Sequence, residues 1–140
     1  MFFRFACLLL SMLLFANMSR AEDPVREAQA VIASQLSAFA SDDAEMAYSF
    51  ASPNIRSIYR SETQFLDMVR KNYSPVYKLG NYAFGRSKLV GGGELVLQEV
   101  LISGEEGQDW TAIYEMRLMD DGSYKFNGVR MKRNTTSQGI

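Results

Sequence analysis

The periodicity of the chain changes within Phe65–Lys78, FLDMVRKNYSPVYK. Upstream of this stretch, apolar residues recur every three or four positions, which is typical of amphipathic helices. Downstream, short apolar or alternating runs are separated by glycine-rich turns, which is typical of strands. The sequence therefore predicts an α+β fold in which N-terminal helices pack on a curved, four-stranded antiparallel sheet.

Four helices are predicted upstream, each from its own start signal. Asp23-Pro24 supplies an N-cap and a proline in the first turn. Ser41-Asp42-Asp43 ends this helix and caps the second, and Ser52-Pro53 opens a short third helix. Ser61 to Gln64 has the spacing of a capping box and opens the fourth.

Downstream, Ser74-Pro75 is expected to end the helical half, with extended structure from Val76 onward. Turn sequences divide the rest into four strands: Gly91–Gly93, Gly104–Gly107 and Asp120–Gly122. The predicted strands run to about residue 89 and then over 94–102, 108–118 and 123–132. Such short connections predict an antiparallel meander, which a β-bulge at Asn127-Gly128 would bend.

The faces of two strands bear on function. In the third, one face is predicted to be inward: Trp110, Ala112, Tyr114, Met116 and Leu118. In the second, Leu95, Leu97, Glu99 and Leu101 share one face, and Val96, Gln98, Val100 and Ile102 share the other. Because both faces are largely apolar, we expect part of the outer face to be covered by a second copy, as a homodimer, across a surface that includes Val96, Val100 and Ile113.

Residues 1–21 have the features of a secretory signal peptide: a positive start, an apolar run and a small-x-small site, Ser19-Arg20-Ala21. Cleavage is predicted after Ala21, so the protein is expected to be periplasmic or secreted, without stable membrane insertion; an uncleaved anchor is the alternative. The expected organisation is a signal peptide over 1–21, one domain over 22–133 and a polar tail over 134–140.

The composition excludes several classes of chemistry. The chain has no histidine, and its one cysteine, Cys7, lies in the predicted signal peptide. Nucleophile systems that need histidine or a thiol, and zinc sites built from them, are therefore excluded in the exported domain. No metal and no cofactor are expected. Cleavage would leave 13 of the 15 basic residues against 16 acidic ones, which argues against a nucleic-acid surface.

The remaining candidates form an aromatic pocket between helices and sheet. Six residues are predicted to line it: Tyr48, Tyr73, Tyr77, Trp110, Tyr114 and Phe126. Tyr73 and Tyr77 are expected at its mouth, opposite Trp110 and Tyr114. If the leucine side of the second strand faces inward, Glu99 becomes a buried carboxylate with a raised pKa, suited to acid-base catalysis; if the valine side does, Glu99 is solvated.

Several separated motifs resemble the bacterial domain of unknown function family 4864, over roughly residues 25–131. The motifs are Ile32-x-x-Gln35-Leu36-x-Ala38-Phe39, Asp42-Asp43, Ala47-Tyr48-x-Phe50-Ala51-x-Pro53, Phe65-Leu66-x-Met68-Val69-Arg70-x-x-Tyr73-x-Pro75-Val76-Tyr77 and Asp121-Gly122-Ser123-Tyr124-Lys125-Phe126-Asn127-Gly128. The element order also resembles the nuclear transport factor 2-like (cystatin-like) superfamily. That resemblance implies a cavity between helices and sheet, used for small apolar ligands or for isomerisation and dehydration, and pairing through the sheets.

Three functions follow as expectations. The first is a non-enzymatic module that binds a small apolar molecule or a protein partner. The second is an acid-base isomerase or hydro-lyase that uses Glu99 with Tyr114. The third is a purely structural homodimer with a filled core. Relatives with acid-base chemistry place an inward Asp or His beside a Tyr, and this sequence has no His and no inward Asp in its third strand.

Overall fold

The computed structural model describes residues 23–134; the predicted signal peptide and residues 135–140 of the predicted tail lie outside the described residues. In the described range, helices come first and strands second, which confirms the α+β fold. The helices are α1 Pro24–Ala40, α2 Ala44–Ser49, α3 Pro53–Ile58, α4 Glu62–Asn72 and α5 Ser74–Tyr77. The strands are β1 Asn81–Val90, β2 Leu95–Ser103, β3 Asp109–Leu118 and β4 Tyr124–Arg133.

Helix α1 begins where the sequence predicts. Its N-cap Asp23 accepts a hydrogen bond from the Val25 N–H at 3.0 Å, and Pro24 occupies the first turn, where it leaves no donor unpaired. Residues spaced three and four apart are buried along it: Ala28, Ile32, Gln35, Leu36, Ala38 and Phe39. This face packs on β1, β2 and β4, so α1 covers the sheet.

The segment between α2 and α3 ties the helices to β4. The Ser52 N–H donates to the Phe126 carbonyl at 2.9 Å, beside a parallel bridge between Ala51 and Phe126. The Ser52 hydroxyl accepts from the Ile55 N–H at 3.3 Å, as the N-cap of α3, and donates to Asn127 Oδ1 at 2.7 Å. Ser52 therefore caps a helix and fixes the strand in one position.

The predicted change from helix to strand at Ser74-Pro75 is wrong. The chain remains helical through α5, and β1 begins only at Asn81. Proline has no N–H to lose in a first helical turn, so Pro75 opens α5 instead of ending the helical half.

Upstream in the same stretch, Phe65 is fully buried, with its ring between 5.6 and 6.5 Å from the rings of four neighbours. These neighbours are Phe39, Tyr48, Tyr59 and Phe126.

The strands form one antiparallel sheet in the predicted order β1-β2-β3-β4. The predicted bulge in β4 is confirmed, because Met116 pairs with Phe126 and Glu115 with Gly128, which makes Asn127 the extra residue. A second irregularity was not predicted. It lies in β1 at Gly85 and Arg86, between the residues that pair with Val100 and Gln98.

The valine side of β2 faces the helices. Val96, Gln98 and Val100 have no exposed surface, whereas Leu101 on the leucine side is 43% exposed. The expectation that Val96 and Val100 belong to an outer apolar surface is therefore wrong, because α1 packs on their face of the sheet. On β2 and β3, the outer face instead carries four apolar residues: Leu95, Leu97, Leu101 and Ile113.

Candidate functional site

A cavity of about 130 Å³ lies between the helices and the inner face of the sheet. Its walls come from α1, α3, α4 and α5 on the helical side and from β3 and β4 on the other. The lining residues are Gln35, Phe39, Ile55, Ile58, Tyr59, Phe65, Met68, Val69, Tyr73, Val76, Tyr114, Phe126, Gly128 and Val129. None of them carries a charge, and two, Gln35 and Tyr114, are buried residues with a polar side chain.

The sheet side of the cavity follows from strand alternation and the β4 bulge. Tyr114 belongs to the inward set of β3, with Ala112 and Met116 on either side. Phe126 and Val129 differ in parity, so a regular strand would turn one of them outward. The extra residue Asn127 restores both to the inner face, where Phe126 pairs with Met116 and Val129 with Tyr114. The bulge therefore shapes this wall.

Tyr114 is one of the two buried polar residues that line the cavity. Among residues 23–134, its hydroxyl is the one side-chain oxygen or nitrogen that has neither accessible surface nor a hydrogen-bond partner. Burial raises the pKa of Tyr114 well above its ordinary value, because the phenolate would lose its hydration. The hydroxyl is therefore a neutral O–H donor, buried in a residue that lines the cavity.

Gln35 brings a second polar group to the same cavity from α1. It lies between Ile32 and Leu36 on the buried face of the helix and is only 2% exposed. Its Nε2 donates to the Ala47 carbonyl at 3.4 Å, which is long for a hydrogen bond. Its carbonyl oxygen makes no hydrogen bond with the described residues and, unlike the Tyr114 hydroxyl, keeps some accessible surface. The cavity thus holds one spare donor and one spare acceptor.

Three of the six predicted pocket residues, Tyr73, Tyr114 and Phe126, line this cavity, and the other three lie elsewhere. Tyr48 donates its hydroxyl to the Tyr59 carbonyl at 2.6 Å, which makes it a core residue with a satisfied hydroxyl. Its position in the predicted pocket is therefore wrong.

Tyr77 and Trp110 lie outside this cavity. Tyr77 packs on Phe39 with ring centroids 6.2 Å apart, and its hydroxyl accepts a hydrogen bond from Arg70 at 3.2 Å. Trp110 lines a separate, more polar depression of about 230 Å³, beside Pro75 and Gln108. The predicted mouth, formed by Tyr73 and Tyr77 opposite Trp110 and Tyr114, is therefore not formed.

Glu99 and Tyr114, the pair of the acid-base hypothesis, lie on opposite faces of the sheet. Glu99 is on the leucine side, where its carboxylate accepts from the Arg86 side chain at 3.0 and 3.3 Å and from the Arg86 N–H at 3.1 Å. These hydrogen bonds lower the pKa of Glu99. The inward, raised-pKa carboxylate is therefore wrong, and the solvated alternative holds.

Sequence reasoning missed Gln35 and the aliphatic part of the lining, such as Ile55, Val69 and Val129. Gln35 carried a detectable signal, because it is a polar residue inside the apolar stripe of α1. The aliphatic residues carried none beyond being apolar. As for metals, residues 23–134 contain no group of three or more carboxylates placed to hold an ion.

Within residues 23–134, no helix is both long enough and apolar enough to cross a membrane.

No curated protein matches this chain. The family described as a domain of unknown function, DUF4864, matches residues 21–139, which include every element that builds the cavity. The resemblance seen in the separated motifs is thereby confirmed, and the protein belongs to the DUF4864 family.

Proposed function

We propose that this protein is a non-enzymatic module that binds a small, largely apolar molecule in the cavity between its helices and its sheet. The observation that carries the proposal is that Tyr114 lines the cavity while its hydroxyl is fully buried and has no hydrogen-bond partner among the described residues. An unsatisfied buried hydroxyl costs about 1–3 kcal/mol of stability. A ligand that accepts its hydrogen bond removes that cost.

The lining favours binding over acid-base catalysis. General acids and bases need a titratable group within hydrogen-bond reach of the reacting atom. No carboxylate or cation lines the cavity, and the raised pKa of Tyr114 keeps its phenol protonated. Glu99, the weak catalytic candidate, is held by Arg86 on the other face of the sheet. Tyr114 alone supplies a hydrogen bond and no proton transfer near neutral pH.

We also propose that the module acts after export, with residues 1–21 removed as a signal peptide. The support is the sequence pattern of residues 1–21: a positive start, an apolar run and a small-x-small site. Native mass spectrometry of the protein purified from the periplasm tests export and binding together. We expect a polypeptide that begins at Glu22 and carries a co-purified small molecule.

A matched pair of variants tests whether the co-purified molecule binds in the cavity. Val129→Phe fills the cavity from β4 and is expected to abolish the added mass. Met131→Phe is the control, because Met131 lies two residues further along the same face and does not line the cavity. A bare polypeptide from the wild type, or a ligand mass retained by Val129→Phe in a folded protein, would contradict the proposal.

The outer face of the sheet supports a second candidate, a homodimer. Leu101 is 43% exposed, and the half-buried Leu95, Leu97 and Ile113 lie on the same face of the sheet. Apolar side chains gathered on one exposed face are a feature of interaction surfaces. Light scattering should give the mass of two chains for the wild type and of one chain for Leu101→Lys. A monomeric wild type at micromolar concentration would exclude the dimer.

A further inference from the structure

We propose that the ligand is an uncharged, single-ring molecule with one hydroxyl group, a phenol or a cyclic alcohol. This inference rests on the proposed binding function and specifies its ligand class. Three properties of the cavity carry it: its size, the lack of charge in its lining, and the two polar groups that have hydrogen-bonding capacity to spare.

The size limits the ligand to about one ring. The cavity measures about 130 Å³, whereas drug-sized ligands occupy pockets of roughly 300–1,000 Å³. An apolar cavity of about 150 Å³ in another protein binds benzene. Two fused rings or a long acyl chain therefore do not fit without expansion of the core.

The lining excludes charged ligands. A carboxylate or an ammonium group that leaves water needs an opposite charge or several hydrogen bonds. The cavity offers neither Lys, Arg, Asp nor Glu among its lining residues. Its polar capacity consists of Gln35 and Tyr114, together with the half-buried tyrosines Tyr59 and Tyr73. A neutral molecule is the one class that this lining can take out of water at low cost.

The two buried polar groups select a hydroxyl. Tyr114 donates and has no acceptor, while the Gln35 carbonyl oxygen accepts and has no donor among the described residues. A hydroxyl accepts one hydrogen bond and donates another, so we infer that one ligand hydroxyl placed between the two groups satisfies both. A ketone or an ether accepts only and leaves Gln35 unsatisfied. A hydrocarbon leaves both unsatisfied.

Three probes of similar size separate these cases: phenol donates and accepts, anisole accepts only, and toluene does neither. Their dissociation constants can be measured by ligand-observed NMR titration with the full-length exported protein. For the wild type, we expect phenol to bind about thirtyfold more tightly than toluene, because phenol makes two hydrogen bonds and each contributes about fivefold. Benzoate, which matches phenol in ring size and is anionic, should not bind.

Two variants assign the hydrogen bonds. Tyr114→Phe should weaken phenol and anisole by about fivefold to tenfold and leave toluene unchanged. Gln35→Met should weaken phenol to a similar degree and leave anisole and toluene unchanged. Tyr124→Phe is the control, because its hydroxyl is bonded to the Gly93 carbonyl and lies outside the cavity. That variant should not alter any of the three affinities.

The outcomes separate this inference from the proposed function. If phenol and toluene bind equally well and Tyr114→Phe changes neither, the cavity binds ligands but the hydroxyl class is wrong. Equal affinities are also the result expected if a water satisfies both polar groups. If no probe binds, but a small molecule co-purifies with the wild type and not with Val129→Phe, the single-ring class is wrong and the binding function stands. If neither probe nor co-purified mass is found, both proposals fail.

Discussion

Two buried polar side chains are paired on neighbouring strands of the sheet, and they differ in whether their polar atoms are hydrogen-bonded. Gln98 on β2 pairs with Tyr114 on β3, and both have no exposed surface on the inner face. Every polar atom of the Gln98 side chain is hydrogen-bonded, whereas the Tyr114 hydroxyl has no partner among the described residues. Burial alone therefore does not distinguish a structural polar group from one that is available to a ligand.

Gln98 is satisfied because β1 bulges towards it. Its oxygen accepts from Gln29 Nε2 at 3.1 Å and from the Ser87 hydroxyl. Its nitrogen donates to the Gly85 and Arg86 carbonyls, each at 3.3 Å, and to its own strand. The bulge frees backbone carbonyls that a regular ladder would use, and Gln98 satisfies them. The Tyr114 hydroxyl has no such partner among the described residues.

The largest expected effect in this comparison comes from Gln98→Met. The change keeps the side-chain volume but leaves the bulge carbonyls and Gln29 without their partner, so we expect a loss of about 3 kcal/mol in the free energy of unfolding. Gln35→Met is the matched control, because it removes one long hydrogen bond and should cost less than about 1 kcal/mol. Urea denaturation measures both. Equal losses would show that burial, not hydrogen bonding, decides the cost.

The next largest effect is a difference in stability between variants of two buried tyrosines. The Tyr124 hydroxyl donates to the Gly93 carbonyl, so Tyr124→Phe should cost about 1–2 kcal/mol. Tyr114→Phe removes an unpaired hydroxyl and should leave the stability of the ligand-free protein unchanged or slightly increased. Thermal denaturation of the two variants in parallel measures the difference. A comparable loss from both would mean that Tyr114 has a partner.

Sequence reasoning predicted the elements of this fold because its signals are local. Caps at Asp23, Ser52 and Ser61, and glycine-rich turns between strands, act over a few residues. The β4 bulge was also predictable, since Tyr124 and Phe126 differ in parity from Val129. The position of α5 was not, because a proline that can open a helical turn can equally follow one.

The site was less predictable, because each tyrosine depends on contacts between distant residues. Sequence identifies a tyrosine on an inward face but not whether a carbonyl lies near its hydroxyl. Tyr48 finds one at Tyr59, across a turn between helices, and Tyr124 finds one at Gly93. The sequence likewise does not show which side of β2 faces inward, because Gln98 on that side is hydrogen-bonded to Gln29, 69 residues away. Gln35 could have been noticed in its apolar stripe, as a polar residue that requires an explanation.

A smaller effect should appear at alkaline pH, and it tests the burial of Tyr114 directly. The raised pKa means that the folded protein keeps the phenol proton while the unfolded chain loses it above about pH 10. Stability therefore falls as the pH rises through this range. At about pH 11, the wild type should have lost about 1.4 kcal/mol more than Tyr114→Phe. The raised pKa of Tyr124 is common to both proteins and cancels in the difference. Identical alkaline profiles would show that the phenol ionises freely.

The smallest expected effect concerns the ion pair of Glu99 and Arg86 on the outer face, one residue from Gln98. It tests whether hydrogen bonds on the outer face stabilise the protein as much as those on the inner face. Glu99 accepts hydrogen bonds from Arg86, which lower its pKa, but the Arg86 side chain is 90% exposed. A lowered pKa stabilises the folded state above the unfolded-state value, and this contribution disappears as the pH falls through the folded-state value. Arg86→Ala should therefore lose slightly more stability than Arg117→Ala at neutral pH. The two variants should lose the same amount once the pH is below the folded-state pKa of Glu99.

Arg117 is the appropriate control, because it is exposed on the same face of the neighbouring strand and has no ion-pair partner among the described residues. High salt should reduce the difference between the two arginine variants, since exposed charges are screened. A loss from Arg86→Ala as large as that from Gln98→Met, independent of pH and salt, would mean that the outer face is buried in solution. Desolvated pairs resist screening, so such a result would favour the homodimer over the exposed sheet.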